Sequence, residues 1–362
     1  MRPLASLLRR ARLVVPVALL TVIGGATAAA ASAATPKPAP FVWHPLALEN
    51  GWKSTSTKSL TTGTPAWAVR GGVVYLRGAI KQTSAQGTDV FAQLPASAWP
   101  THDLYLQVYT NVGVPGILFV GTDVELEAYD GNAAVFTSLA GVSYVTKTVK
   151  ASNLALANGW QSSQSQYGTG NPAYSVSNGV VYLSGSMHTA GKSRLAFVLP
   201  KAARPSAGMY ISVYTEDGTT GWLHIQSTGQ VYANGPDATG YTALANVAFP
   251  VASTTWHNIT LSSGWKSAAG LFPTAPPSYA VINGVVYLRG AIRQPASGSG
   301  LWAFLPAAAR TTGDVADIEV ETSNGTTGAV TVTKSLGLAS STPYGNARAF
   351  TSLAGVAYPP SS

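Results

Sequence analysis

Short runs in which apolar and polar residues alternate fill most of the chain, as expected for half-buried antiparallel strands. One such run occurs three times with small changes, at residues 66–80, 173–185 and 278–292. In each copy, two β-branched and aromatic segments meet at Gly71-Gly72, Asn178-Gly179 or Asn283-Gly284. Such pairs supply the positive φ angles of a type I′ turn, so each copy predicts a β-hairpin.

Other features recur with the hairpin and divide the chain into three repeats. Gly-Trp pairs recur 108 and then 105 residues apart, Leu-Pro pairs close a later strand, and an aromatic-Thr-x-Leu-Ala run ends each copy. A period of this length is that of a whole β domain and not of a solenoid repeat. The predicted fold is therefore all-β, with three tandem antiparallel β-sandwich domains of the jelly-roll kind at residues 44–145, 152–249 and 256–358.

The second strand of the hairpin is apolar on both faces. In the third copy, Val286 and Leu288 point to one side, and Val285 and Tyr287 point to the other. A strand with one face in water alternates apolar and polar residues, so the second face must be buried, either against another sheet or between repeats. One hypothesis is an intrachain pseudo-trimer in which the three copies close around an axis. The alternative is three independent modules in a row.

The first 33 residues have the pattern of a secretory signal peptide. Four arginines precede an apolar run, and small residues ending in A-x-A follow it, which predicts cleavage between Ala33 and Ala34. The Arg9-Arg10 pair also permits a twin-arginine export route. The apolar run is short for a membrane span, so an uncleaved anchor is the less favoured interpretation. Residues 34–43 follow as a proline-rich linker, and we expect a secreted, extracellular protein with no membrane span in the mature chain.

The basicity of the chain comes largely from this leader. Lys and Arg number 22 and Asp and Glu 14, but removal of the leader leaves 18 basic residues and a net charge of +4. No stripe of Lys or Arg remains that could follow a phosphate backbone, so we expect no nucleic-acid partner. Cysteine is absent from the sequence, which excludes thiol catalysis, zinc-thiolate sites and disulfides.

The sequence contains no motif that predicts an enzyme, and we expect a non-enzymatic protein. Its five histidines form no H-x-H or i, i+4 pair, and it contains no G-x-S-x-G elbow, P-loop or Rossmann glycine pattern. Two sets of acidic residues alternate along strands, and neither recurs in the second repeat. The sets are Asp123, Glu125 and Glu127, and Asp317, Glu319 and Glu321. Solvated strand faces are the simpler interpretation of both. The alternatives are a weak cation site at the first set and contacts from the second set to Arg77 or Arg289 of a neighbouring repeat. We expect no catalytic residue, no metal and no cofactor.

Aromatic residues form the candidate ligand surface. Sugars stack their C–H faces on indole and phenol rings, and the chain has nine Trp and 16 Tyr. Trp52, Trp160 and Trp265 recur at one position of every repeat and are better assigned to the cores. The candidates for ligand binding are rings that vary between the copies, namely Tyr105, Tyr109, Tyr210, Tyr214, Trp222 and Trp302. The alternative role for these rings is contact between repeats.

Each repeat has the same order of features: Gly-Trp, the hairpin with Gly-Val-Val-Tyr-Leu, Leu-Pro, a Gly-centred hairpin and an aromatic-Thr-x-Leu-Ala strand. This order resembles the β-rich C-terminal receptor-binding modules of bacteriophage tail and tail-fibre proteins. The resemblance implies compact, often trimeric β modules that attach to cell-surface glycans or proteins. The leader and the three tandem copies depart from that pattern and favour an exported bacterial protein over a virion component. We therefore expect a non-enzymatic adhesive or carbohydrate-binding surface protein. The alternatives are a structural, envelope-associated protein without a small ligand and, less favoured, a hydrolase.

Overall fold

The computed structural model describes residues 39–56, 61–123, 125–295, 299–311, 316–333, 337–340 and 347–359. The predicted signal peptide, its cleavage point at Ala33 and Ala34, and the first part of the proline-rich linker lie outside the described residues. Contacts place the chain from Pro38 onward in one unit.

Each repeat contains eleven strands within the described ranges. Repeat 1 has β1 (His44–Pro45), β2 (Trp52–Ser54), β3 (Ala66–Arg70), β4 (Val73–Arg77), β5 (Ala79–Gln82), β6 (Val90–Gln93), β7 (Leu104–Tyr109), β8 (Pro115–Val120), β9 (Glu125–Tyr129), β10 (Thr137–Ser138) and β11 (Ser143–Val145). Repeat 2 has β12 (Ser152–Asn153), β13 (Trp160–Ser162), β14 (Ala173–Ser177), β15 (Val180–Ser184), β16 (Ser186–Thr189), β17 (Leu195–Val198), β18 (Met209–Tyr214), β19 (Thr220–Ile225), β20 (Gln230–Asn234), β21 (Thr242–Ala243) and β22 (Ala248–Pro250). Repeat 3 has β23 (His257–Asn258), β24 (Lys266–Ser267), β25 (Ser278–Ile282), β26 (Val285–Arg289), β27 (Ala291–Arg293), β28 (Leu301–Ala303), β29 (Ala316–Glu321), β30 (Thr327–Thr333), β31 (Gly337–Ser340), β32 (Thr351–Ser352) and β33 (Ala357–Tyr358).

Helical structure in the described residues is limited to short segments. One α-helix, α1 (Gln164–Tyr167), lies in repeat 2. Two 3₁₀ turns recur in each repeat, at Ala96–Ala98 and Asn111–Gly113, Lys201–Ala203 and Glu216–Gly218, and Ala307–Ala309 and Ser323–Gly325. The predicted all-β class is therefore confirmed.

The three repeats have the same sheet topology, and all their strand pairs are antiparallel. The hairpin sheet has the order β1-β3-β4-β11, the three-stranded sheet β10-β5-β2, and the meander sheet β6-β9-β8-β7. Repeats 2 and 3 have the equivalent sheets β12-β14-β15-β22 and β23-β25-β26-β33, β13-β16-β21 and β24-β27-β32, and β17-β20-β19-β18 and β28-β31-β30-β29.

The predicted hairpins are confirmed at their turns. β3 and β4 pair from Ala66 opposite Arg77 to Arg70 opposite Val73, so that Gly71 and Gly72 form the two-residue turn. These glycines have φ angles of 58° and 77°, and the equivalent Asn-Gly pairs in the other two repeats also have positive φ. A type I′ turn requires this backbone, which Gly and Asn adopt at little cost.

Each repeat has its own hydrophobic core. Trp52, Trp160 and Trp265 lie in cores 1, 2 and 3 with 3%, 4% and 6% of their surface exposed. Their indole N–H groups donate to the carbonyls of Thr88, Ser193 and Ser299 at 2.8, 2.9 and 2.9 Å. The assignment of the recurring Trp to the cores is confirmed.

The repeats contact one another in a closed cycle. Ala245 of repeat 2 belongs to core 1, Ala354 of repeat 3 belongs to core 2, and Ala140 of repeat 1 packs against core 3. The meander strands β7, β18 and β29 also contact each other pairwise. Each repeat thus touches both of the others, as a closed arrangement requires and as independent modules in a row would not.

The second face of the hairpin strand is buried where the three repeats meet. Tyr75, Tyr182 and Tyr287 lie with Val73, Val180 and Val285 in a fourth apolar cluster that all three repeats share. The Tyr182 hydroxyl is 3.2 Å from that of Tyr75 and 3.3 Å from that of Tyr287. Burial raises the pKa of all three tyrosines, so they are neutral hydroxyls that satisfy one another.

Candidate functional site

Two of the candidate rings, Tyr105 and Tyr214, lie in the contact between repeats 1 and 2. The two rings stack with their centroids 6.1 Å apart, and both contact Tyr241, at 6.2 and 5.5 Å. Tyr167 on α1 completes the group, with its ring 4.4 Å from that of Tyr241. Burial raises the pKa of Tyr105 and of Tyr214. Both rings are half-buried, and the other rings of the group cover part of each.

Tyr210 and Trp222 lie in the contact between repeats 2 and 3. The Tyr210 ring stacks on His224, at 4.5 Å and nearly parallel, and meets the edge of Phe350 at 5.4 Å. The Trp222 ring packs so closely on Gly325 that no Cβ could be accommodated there. Both candidates therefore contribute to contact between repeats, which was the alternative role considered for them.

The last two candidates have different surroundings. Tyr109 is half-buried, and its ring meets Phe136 of the same repeat at 6.0 Å. It also lines a small cavity with Ser212 and Glu319 of the other two repeats. Trp302 has no exposed surface and packs in core 3. Trp302 is thus a core residue and not a surface ring, because its strand β28 points this side chain inward. The structure does not gather the six candidate rings into one groove.

A cleft of about 340 Å³ lies between repeats 1 and 2. Its apolar wall is formed by Leu104, Tyr144, Leu183 and Ala245. Its polar lining consists of Thr101, His102, Lys147, Asn153, Thr169, Asn171 and Ser184. This volume lies in the range of small-ligand sites, which combine an apolar surface with a few polar groups.

The cleft exists because repeat 2 lacks a stacked pair that the other repeats have. In repeat 1 the Arg77 guanidinium lies 4.4 Å from the centre of the Trp43 ring, and in repeat 3 Arg289 lies 4.3 Å from that of Trp256. Strand register places Ala151 and Ser184 at the equivalent positions of repeat 2. Both small residues line the cleft.

The equivalent space between repeats 2 and 3 shows what the pair does. The cavity there shares part of its lining with the cleft: Met209, Phe249 and Leu288 are equivalent to Leu104, Tyr144 and Leu183. Trp256 and Arg289 stand in place of the small pair, and the volume is about 10 Å³. Arg289 also donates to the Ser206 hydroxyl at 2.7 Å across that interface. The Trp-Arg pair therefore fills the interface between repeats 2 and 3. The interface between repeats 1 and 2 stays open because Ala and Ser stand in place of that pair.

Repeat 2 supplies one wall of the cleft through the segment that follows α1. The Asp103 amide donates to the Gly168 carbonyl at 3.3 Å, which joins the two repeats through their backbones. Gly170 lies directly against the His102 ring, where a Cβ would not fit. Lys147, which also lines the cleft, has its ammonium 4.5 Å from the centre of the Trp99 ring. The contacts at Gly168 and Gly170 thus join the two repeats at the cleft.

The acidic residues of repeat 3 do not form the solvated face that the sequence suggested. Glu321 is 3% exposed and the Glu319 Oε2 atom has no contact with solvent. Asp317 accepts from the Thr331 hydroxyl at 2.6 Å, and Glu319 accepts from the Gln107 side-chain amide. The predicted alternative partners, Arg77 and Arg289, instead stack on Trp rings. The interpretation as a solvated face is wrong for this strand because it faces the other two repeats.

The first acidic set lies at the surface. Asp123 is exposed and Glu127 is half-buried, and burial together with Glu125, Asp89 and Asp123 raises the Glu127 pKa. Within the described ranges, His, Asp and Glu side chains do not come together in any group of three that could hold a metal.

Comparison with known proteins gives no match: no family model, no curated protein and no solved structure is similar to this chain. Over the part of the chain that the structure describes, none of the helices has the length and apolar character needed to cross a bilayer.

Proposed function

We propose that this protein is a secreted, non-enzymatic binding protein that holds a carbohydrate in the cleft between repeats 1 and 2. The observation that carries the proposal is the cleft itself, which lies where Ala151 and Ser184 replace the Trp-Arg pair of the other two repeats. The A-x-A leader supports export, and the resemblance to phage receptor-binding modules supports a glycan as the ligand class.

The lining of the cleft suits a sugar better than a wholly apolar ligand. Hydroxyl, amide and ammonium groups from Thr101, Asn153, Asn171 and Lys147 surround a wall of aliphatic side chains. Sugars present C–H faces to such walls and hydroxyls to such rims. No Asp or Glu lines the cleft, so the pair of carboxylates used by glycosidases is not found at this site. Binding without hydrolysis is therefore the activity that this site supports.

Filling the cleft tests the proposal. Oligosaccharides would be screened against the mature protein and against the Ala151→Trp/Ser184→Arg variant, which copies the pair found in the other repeats. We expect the native protein to bind a glycan and the double variant to lose that binding. Ser97→Arg, an exposed position outside the cleft, is the charge-matched control and should bind as the native protein does. Equal binding by the filled variant would place the site elsewhere.

A structural role without a small ligand is the second candidate. It is favoured by the use of Tyr105, Tyr210, Tyr214 and Trp222 in contacts between repeats and not on an open surface. If no glycan binds to the native protein, this candidate replaces the first.

A further inference from the structure

One strand of repeat 3 differs in charge from its counterparts in the other repeats. β29 carries Asp317, Glu319 and Glu321 on the face that meets the other repeats. The same positions hold Tyr105, Gln107 and Tyr109 on β7, and Tyr210, Ser212 and Tyr214 on β18. Repeats 1 and 2 form this contact between the repeats without acidic residues. The three carboxyls of repeat 3 are therefore not needed for closure, and their presence calls for a physical explanation.

No basic residue lies on the strands with the most contacts to β29. These are β30, β7, β18, β32 and β10, and none of them contains Lys, Arg or His. The titratable groups that they present are the tyrosines of β7 and β18. β19 contacts the turn after β29 and carries His224, whose pKa is lowered by burial, which favours the neutral ring. A carboxylate that is removed from water without a cation is strongly unfavourable.

The hydrogen bonds around Glu319 and Glu321 suit protonated carboxyls. The Gln107 amide nitrogen donates both to Glu319 and to the Thr220 hydroxyl, the latter at 3.0 Å. Glu319 Oε2 and Gln107 Oε1 are then two buried acceptors without a partner, and both residues line the same small cavity of about 30 Å³. Glu321 Oε2 is likewise buried and without a partner. A proton on each carboxyl supplies a donor that these oxygens lack.

We propose that β29 is a proton-dependent lock, in which repeat 3 closes onto repeats 1 and 2 with Glu319 and Glu321 protonated and loosens when these carboxyls ionise. The loop after β29 is part of the lock. Glu321 accepts a hydrogen bond from the Gly325 backbone, and the Trp222 ring of repeat 2 packs on Gly325. Ionisation of Glu321 therefore acts directly on a contact between repeats.

The direction of the pH effect follows from burial. Burial raises the pKa of Asp317 and of Glu319, and it raises that of Glu321 to about 9. In the unfolded chain a Glu titrates at its ordinary value of 4.5. The stabilisation is thus complete below about pH 4.5 and decreases as the pH rises toward about 9, because the folded form must retain protons that the unfolded chain releases.

Thermal unfolding of the full chain between pH 5 and pH 9 tests the lock. For the native protein we expect the melting temperature to fall by about 5 °C over this range, and for Glu319→Gln/Glu321→Gln we expect this fall to be largely lost. Each single Gln variant should lose part of it. The control, Asp89→Asn/Asp123→Asn, removes two exposed carboxyls and should retain the fall of the native protein.

Small-angle scattering gives a second readout. The native protein should expand between pH 5 and pH 9 while the double Gln variant keeps one radius of gyration. An identical pH dependence in both proteins would overturn the proposal. So would stabilisation of the native protein at pH 8 by Ca²⁺ or Na⁺ at matched ionic strength that the double variant lacks, because the cavity would then hold a cation and not a proton.

Discussion

The pair of Trp256 and Arg289 should couple energetically across the interface between repeats 2 and 3. The Arg289 guanidinium lies 4.3 Å from the indole centre and donates to Ser206 of repeat 2 at 2.7 Å. We consider Trp256→Ala, Arg289→Ser and the double variant, which gives this interface the Ala and Ser of the open one.

The expected magnitudes follow from these contacts. Truncation of a fully buried Trp costs about 3–5 kcal/mol, so the half-buried Trp256 should cost about 2 kcal/mol. Arg289→Ser removes one hydrogen bond and the cation-π contact and should cost about 1.5 kcal/mol. Because each single change also removes the stacking, the double variant should cost about 1 kcal/mol less than the sum of the single variants.

Denaturant unfolding of the four proteins measures this coupling as a double-mutant cycle. A crystal structure of the double variant should in addition show a second cleft between repeats 2 and 3. A coupling energy near zero would refute the account of the cleft, since the pair would then not be the element that fills the interface. Trp43 and Arg77, at 4.4 Å, offer an independent repetition of the same cycle.

Three further experiments test the cores and the closed arrangement. Trp265→Ala should lower the free energy of unfolding by about 3–5 kcal/mol, because the indole is 6% exposed; an unchanged denaturation curve would show that Trp265 is not a core residue. Gly141→Ala and Gly264→Ala both place a Cβ at positive φ, 78° and 79°, but only at Gly141 would it lie 2.8 Å from the Ile318 side chain of another repeat. By differential scanning calorimetry, Gly141→Ala should therefore be less stable than Gly264→Ala by about 1–3 kcal/mol; equal losses would argue against this contact. Tyr182→Phe removes the hydroxyl bonded to both other tyrosines of the shared cluster and should cost about 1–3 kcal/mol in urea unfolding; a loss below about 0.5 kcal/mol would mean that water replaces these bonds.

The predictions that the structure confirms rest on local rules. An Asn-Gly or Gly-Gly pair between β-branched runs leaves few alternatives to a hairpin, because the turn itself demands positive φ. Trp52 and its equivalents recur with a constant neighbour, Gly, and a constant place in the repeat. Period and turn chemistry are both properties of short segments, so a single sequence is sufficient to predict them.

The features that prediction missed depend on contacts between distant segments. Neither Trp302 nor Trp222 recurs at the equivalent position of the other two repeats, so the sequence treats them alike. Trp302 nevertheless lies in a core, whereas Trp222 contacts another repeat. The sequence of β29 predicts a solvated strand, because alternating acidic residues are usually exposed. Its acidic face is buried only because the three repeats close on one another. Trp43 falls in the segment predicted as a linker, but its ring stacks on Arg77.

The cleft left a signal in the sequence that alignment of the three copies could have detected. Trp precedes the first strand of repeats 1 and 3, and Arg ends the hairpin of the same two repeats. Repeat 2 has Ala151 and Ser184 instead, so the two positions change together. Covariation between copies of one chain indicates contact for the same reason as covariation between homologues, because neither side chain packs well without the other.

A single chain with three copies can change one interface without changing the others. In a homotrimer, replacement of a Trp-Arg pair would open all three interfaces at once and remove its stabilisation three times. Here the pair remains in repeats 1 and 3, while the open interface keeps the stacked rings of Tyr105 and Tyr214 and the bond from the Ser143 amide to Asn246 at 3.0 Å. The acidic strand occurs once in the same way, on repeat 3. The two departures from repeat symmetry thus lie on different strands, which predicts that filling the cleft with Ala151→Trp/Ser184→Arg leaves the pH dependence of stability unchanged. If the filled variant instead lost that dependence, the cleft and the acidic strand would be parts of one coupled site.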